Sequence, residues 1–151
     1  MNKIIYLFAL IGLIFTACNN DDEVPAGVTI EGEWRISRVD YQGFPEDFDE
    51  EDEEFWETTY VFGTDNRFTK ITNRPGAGGE ASGTYSRTQP DSELDLDEVE
   101  GYYSLSFETG GEIVESCGSQ TAEIFTLMHT GELINELAPC DGPNLYYTKV
   151  N

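Results

Sequence analysis

TTYVFGTDNRFTKIT, residues 58–72, is the stretch on which the fold turns. Its first five residues alternate, Tyr60 and Phe62 against Thr59 and Val61, with the period of a β-strand rather than a helix. Gly63-Thr64-Asp65-Asn66 follows, and then RFTKIT, a second aromatic and β-branched run. Glycine and Asp-Asn between two such runs predict a hairpin, because the turn needs positive φ.

The same period recurs outward in both directions. EWRISRVDY (33–41) begins with Trp34 and Ile36 on one face. GTYSR (83–87), ELDLD (93–97), YYSLSF (102–107), AEIFTLMH (122–129), ELINEL (132–137) and NLYYTKV (144–150) read as further strands. ELINEL is compatible with a helical turn too, and His129-Thr130-Gly131 before it with a hairpin turn. GAGGEASG (76–83) reads as a floppy hairpin loop. No internal apolar helix pattern of useful length is present. Short strands with connections of a few residues predict an all-β fold, an up-and-down antiparallel barrel of about eight or nine strands.

The chain begins differently. Met1-Asn2-Lys3 is a short positive head, and Ile4 to Phe15 is apolar apart from Gly12 and the Tyr6 hydroxyl. A helix crossing a bilayer needs about 20 apolar residues. This shorter block has the length of a signal-peptide core. Phe15-Thr16-Ala17-Cys18 resembles the lipobox of bacterial lipoproteins, with Phe15 in place of the more usual leucine. That resemblance implies cleavage before Cys18, a diacylglycerol on its thiol and a third acyl chain on its amine. Each buried methylene contributes about 0.8 kcal/mol, so two or more chains hold a protein on a lipid bilayer. Asn19-Asn20-Asp21-Asp22-Glu23 then forms a polar tether. Its acidic run resembles the export signal with which some Gram-negative lineages send lipoproteins to the cell surface. The expected location is therefore the outer membrane facing outward, with its periplasmic face as the alternative. The organisation expected is a cleaved signal helix at 1–17, an acidic tether at 18–29 and the barrel domain at 30–151.

The net charge is −22, and loss of Lys3 makes it one unit more negative. Such a surface repels phosphate backbones and anionic headgroups, which excludes nucleic acid as a partner and leaves the lipid as the means of attachment. Beyond Cys18 there remain Cys117 and Cys140. In an exported protein two cysteines read as one disulfide. Two free thiols or half a metal site are the alternatives, but neither cysteine has CxxC spacing and His129, the one histidine, is not at ligand spacing from either. If His129-Thr130-Gly131 is a turn, the chain goes out and back and brings Cys140 near Cys117.

Gly32-Glu33-Trp34, YVFGTDNRFT, SGTYSR and LYYTKV, in this order, resemble the bacterial lipocalin-like domains of small exported lipoproteins. The similarity spans residues 31–150 with insertions; the acidic insertion after the first strand and the segment YYSLSFETGGEIVESCGSQ depart from the pattern. It implies that Trp34 closes one end of the barrel with the last strand and that Lys149 sits over its ring. An eight-stranded barrel is at the size where the interior fills with side chains or accepts one small ligand. Trp34, Tyr60, Phe62, Phe68, Tyr85 and Phe107 are the inward residues by alternation, candidates to line a cavity for a small apolar or amphipathic molecule. Buried tyrosine hydroxyls need partners, which a ligand or water in an open mouth would supply. The alternative is a filled core and a non-enzymatic module that contacts proteins through segment 44–56.

FPEDFDEEDEEF (44–55) interleaves Phe44, Phe48 and Phe55 with acids, and Trp56 follows. Its carboxylates suit calcium, yet an EF-hand loop needs glycine at its sixth position and spaced ligands. A solvated loop that covers an opening or meets a partner is the expected role, with no metal. DSELDLDEVE (91–100) reads as an amphipathic strand, Leu94 and Leu96 inward; its exposed carboxylates lack the burial that a glycosidase acid requires. His129 has no GxSxG serine, and the Gly-rich stretch at 76–83 has no lysine and opens no helix, so it cannot cradle phosphate. Neither catalysis nor a cofactor is expected.

Overall fold

The computed structural model describes residues 28–41, 56–88, 98–137, 140 and 142–150. Eight strands succeed one another: β1 (Gly32–Asp40), β2 (Thr58–Phe62), β3 (Arg67–Thr72), β4 (Gly79–Thr88), β5 (Val99–Thr109), β6 (Ala122–Met128), β7 (Glu132–Asn135) and β8 (Asn144–Lys149). Each pairs antiparallel with the next, and β8 returns to β1, closing an up-and-down barrel. A single 3₁₀ turn, Gly111–Ile113, interrupts the long β5–β6 connection. The candidate ninth strand ELDLD, the acidic segment 44–55 and residues 1–27 lie outside the described residues.

The hairpin at 58–72 pairs Thr58 with Thr72 and Phe62 with Phe68. Its one residue in the left-handed region is Asn66 (φ 61°) rather than Gly63. Asparagine tolerates that region because its short side chain is polar. Gly63 N–H donates to Arg67 O at 2.8 Å, and Asp65 Oδ1 accepts the Arg67 N–H at 3.2 Å, so the turn is tied at both levels. ELINEL is strand rather than helical turn: Glu132–Asn135 pairs back on β6, Phe125 opposite Asn135, through a turn at 129–131. The loop expected over 76–83 is shorter than that, because β4 begins at Gly79 and pairs as far as Thr72 on β3. Glycines there did not break the strand, since Ala81 faces inward with 4 % exposure and Gly83 lies where no side chain fits. A Cβ on Gly83 would stand 1.9 Å from Ser106 O, at the bulge where β4 changes register against β5.

Because successive strands run in opposite directions, their connections alternate between two poles. The chain enters at 28–31, at the same pole as the turns 63–66 and 129–131, the end of β4 at Thr88 and the start of β5 at Val99. The connections 73–78 and 110–121 lie at the other pole, with the end of β1 at Asp40, the start of β2 at Thr58, the end of β7 at Asn135 and the start of β8 at Asn144.

Period-two alternation carries the large side chains inward from all around the wall. Trp34, Tyr60, Phe125, Leu127, Leu133, Leu145 and Tyr147 are all at 0 % exposure, with Phe62 and Phe68 at 2 %. The rings meet edge-on: Tyr60 stands 5.2 Å from Phe125 and 5.3 Å from Tyr147, and Phe62 5.1 Å from Tyr85. Such perpendicular pairs contribute about 0.5–1.5 kcal/mol each beyond area burial.

At the N-terminal pole Trp34 closes the floor. Its Nε1 donates to Ile30 O at 2.6 Å, and Ile30 is itself 2 % exposed. Lys149, the register partner of Trp34, places Nζ 5.6 Å from the ring centre and donates to Thr29 O at 2.9 Å. Gly32 makes room for this arrangement. It holds φ 118°, and a Cβ there would stand 2.9 Å from Lys149 Cε.

Candidate functional site: a buried ion cluster at the disulfide pole

Among the described residues two charged side chains point into the barrel. Lys70 lies two places after the inward Phe68 on β3, and Glu123 two places before the inward Phe125 on β6; both have 0 % exposure. A buried ion is tolerated only when paired and fully hydrogen-bonded. Lys70 meets that condition on all three protons, donating to Ile113 O at 2.7 Å, Glu115 Oε2 at 2.9 Å and Glu123 Oε1 at 3.0 Å. Both oxygens of Glu123 are bonded as well: Oε1 also accepts the Glu115 N–H at 2.7 Å, and Oε2 accepts the Tyr60 hydroxyl at 2.6 Å. Arg74 completes the set from the β3–β4 connection, donating from Nη1 to Glu115 Oε1 at 2.6 Å while its guanidinium lies 4.5 Å over the Trp56 ring.

Two cations thus face two carboxylates, and the group is neutral as a whole. Burial still costs the charged forms. The Glu123 carboxyl is pushed above the ordinary glutamate range by desolvation, an effect that Lys70 and the Glu115 N–H partly counter. Desolvation, followed by the Glu123 charge, raises the Tyr60 hydroxyl well above the usual tyrosine value. Desolvation first and then the charges of Glu115 and Glu123 do the same to Tyr147. Among the described residues the Tyr147 hydroxyl finds no hydrogen-bond partner of ordinary geometry. Every proton of Lys70 and both oxygens of Glu123 are committed within the protein, so the cluster as it stands holds the pole shut rather than presenting a free acid or base.

The segment that closes it is 110–118. It crosses the pole and reaches the cluster through Ile113 O and through the side chain, N–H and carbonyl of Glu115, the carbonyl accepting Asn135 Nδ2 at 2.9 Å. Cys117 and Cys140 then clamp it to the β7–β8 connection, joined as a disulfide with Cα atoms 5.6 Å apart. The out-and-back course of β6 and β7 is what brings the two cysteines to one pole, as a turn at 129–131 implies.

The inward residues read from alternation lie together: Trp34, Tyr60, Phe62, Phe68 and Tyr85 in the buried core, with Phe107 partly buried against it. Tyr85 finds its partner in Gly63 O at 2.6 Å and Tyr60 in Glu123, so protein atoms take the place of the ligand or water that those hydroxyls were expected to require. His129 sits at the opposite pole, half exposed, its Nδ1 3.0 Å from Glu100 Oε2. Lys70, Glu115 and Glu123 are not among the candidates that the sequence offers, although it carries a signal for Lys70 and Glu123. Extending the alternation of RFTKIT from Phe68, and of AEIFTLMH back from Phe125, places a lysine and a glutamate on the inner face.

Two depressions among the described residues are lined by Thr69, Lys70, Ile71, Glu80, Ala81, Ser82 and Thr109, and by Arg35, Ile36, Glu57, Thr58 and Thr59. Comparison with protein-family models, with curated proteins and with solved structures returned no match.

Proposed function

We propose that the protein is a lipid-anchored exported lipoprotein whose barrel is a filled scaffold and whose acidic-aromatic segment 44–55 meets a protein partner, Trp56 after it being buried in the core. The observation that carries this reading is the occupied interior. A small-molecule site needs roughly 300 Å³ of connected space open at one end. Here the axis is taken up by Trp34, Tyr60, Tyr147 and Phe125, and the disulfide pole by Lys70, Glu115 and Glu123, all but Glu115 fully buried. Holding a small apolar or amphipathic molecule, the other function open to a lipocalin-like barrel, would require this packing to separate.

The topology supports presentation at a membrane. The chain comes in at 28–31 at one pole, whereas β1 ends and β2 begins at the other. An anchor at Cys18 would hold the first pole towards the bilayer, whereas Tyr41 and Trp56, the described residues on either side of 42–55, belong to the far one.

The test has two arms. Cys18→Ser should abolish labelled-palmitate incorporation in cells; continued labelling would refute the anchor. Native mass spectrometry of the protein from its own membrane should show no stoichiometric small molecule, and titration with fatty acids and sterols should leave tryptophan fluorescence unchanged. A retained ligand, or a saturable response to any member, would replace the scaffold reading with ligand binding.

A further inference from the structure

The clamp and what it closes lie on opposite sides of the protein surface. Cys117 and Cys140 are both exposed, while Lys70 and Glu123 beneath the segment they hold are fully buried. Among the described residues five hydrogen bonds fasten that segment, all to Ile113 or Glu115: two from Lys70, one from Arg74, one from Asn135 and one to Glu123. It contributes one buried side chain, Ile113, from its 3₁₀ turn, and belongs to no strand. The barrel ladder closes without it, β5 pairing with β6 from Val99 opposite Met128 to Ser106 opposite Ala122. Its attachment is therefore mainly polar, and water can satisfy the same groups once the segment lifts.

We infer that residues 110–118 form a redox-released strap: reduction of the Cys117–Cys140 disulfide lets the strap leave and exposes the Lys70–Glu123 pair at the mouth of an otherwise intact barrel. The reductant is a dithiol, of the kind that a thiol–disulfide oxidoreductase carries. One thiolate attacks a sulfur of the disulfide and forms a mixed disulfide, releasing the other cysteine as a thiolate that takes up a proton. The second thiolate of the reductant then displaces the remaining cysteine, which is protonated in turn. The protein gains two electrons and two protons, and the dithiol ends as its own disulfide. Reduction removes the tether only; the five hydrogen bonds remain as a polar latch, which exchanges with water on local opening.

The charges around the latch set its response. Lys70 and Arg74 face Glu115 and Glu123, and Tyr60 and Tyr147 border the pair from β2 and β8. A carboxylate removed from Glu115 weakens the strap's hold on both cations while leaving Glu123 on Lys70. Glu115→Gln should therefore enlarge the effect of reduction.

Lysine acylation reads this directly. The chain after residue 17 has two lysines, Lys70 and Lys149. Lys149 belongs to the opposite pole and serves as the internal control. The full chain is treated with an acetylating reagent, oxidised or reduced with a dithiol, and each lysine is followed by peptide mass spectrometry. Lys70 should react at least about tenfold faster after reduction, with the Lys149 rate unchanged, and Cys117→Ser/Cys140→Ser should behave as the reduced protein does without any reductant. Glu115→Gln should raise the reduced rate further. Equal Lys70 rates in the oxidised and reduced protein would overturn the strap. Lys70 and Lys149 accelerating together would overturn it too, because the disulfide would then stabilise the whole barrel rather than one segment.

Discussion

Lys70→Met tests whether the ion cluster is held by charge compensation or by packing. The side chains have similar length, so the core loses a charge and three donors with little change in volume. Glu123 is left with the Glu115 N–H and the Tyr60 hydroxyl, Glu115 with Arg74, and Ile113 O with no donor from Lys70. Removing one partner of a buried pair costs about 3–5 kcal/mol, and a small domain has only about 5–15 kcal/mol in total. We expect a loss of about 4 kcal/mol at neutral pH. Glu123→Gln alone keeps the shape and leaves Lys70 with Glu115, so about 1–3 kcal/mol is expected, the worth of a hydrogen bond to a charged group. The double variant decides the matter. With the buried carboxylate neutralised, Lys70→Met/Glu123→Gln should be more stable than Lys70→Met by about 2 kcal/mol. Urea unfolding followed by tyrosine and tryptophan fluorescence gives each value, with equal slopes as the check on two-state behaviour. Additive losses would refute charge compensation and leave Lys70 as a packing residue.

The raised Glu123 carboxyl makes a prediction of opposite sign to the usual acid denaturation. The folded protein binds a proton there that the unfolded chain does not, in the window above the ordinary glutamate range, so the contribution of this residue to stability rises as pH falls through it. Glu123→Gln should remove that component, visible as a steeper loss of stability on acidification than in the parent. Trp34→Phe combined with Lys149→Met should show coupling of about 1 kcal/mol in a double-mutant cycle, from a partly buried cation above a ring. Additivity there would mean that Lys149 acts through its hydrogen bond to Thr29 alone. Gly83→Ala forces a methyl into the Ser106 carbonyl, and the strand shift that relieves it should lower stability by about 1–3 kcal/mol; an unchanged urea midpoint would show that the β4–β5 bulge is looser than its geometry implies.

Strand positions, their order and the two key turns were legible in the sequence, because they depend on neighbours. The period of TTYVFGTDNRFTKIT fixes which side chains share a face, and Asp65-Asn66 supplies the turn without help from distant residues. The cysteine pairing was legible for a similar reason: one hairpin between Cys117 and Cys140 returns the chain to its starting pole. The extent of β4 was not. Glycines read as a loop become strand when the neighbouring ladder requires close approach, as Gly83 does against Ser106.

Whether the interior is filled is a question only the closed barrel answers. Alternation determines that Tyr60 and Phe68 face inward, but not what stands opposite them across the axis. The inward places of Lys70 and Glu123 were implied by the same alternation, yet local pattern assigns a charge to water, since burying one ion alone is prohibitive. The cost is met only when partners 45 and 53 residues away along the chain arrive together at one pole. Sequence determined the faces of the strands. Barrel closure, through contacts between residues far apart in the chain, decided that the mouth of this barrel is a sealed ion cluster.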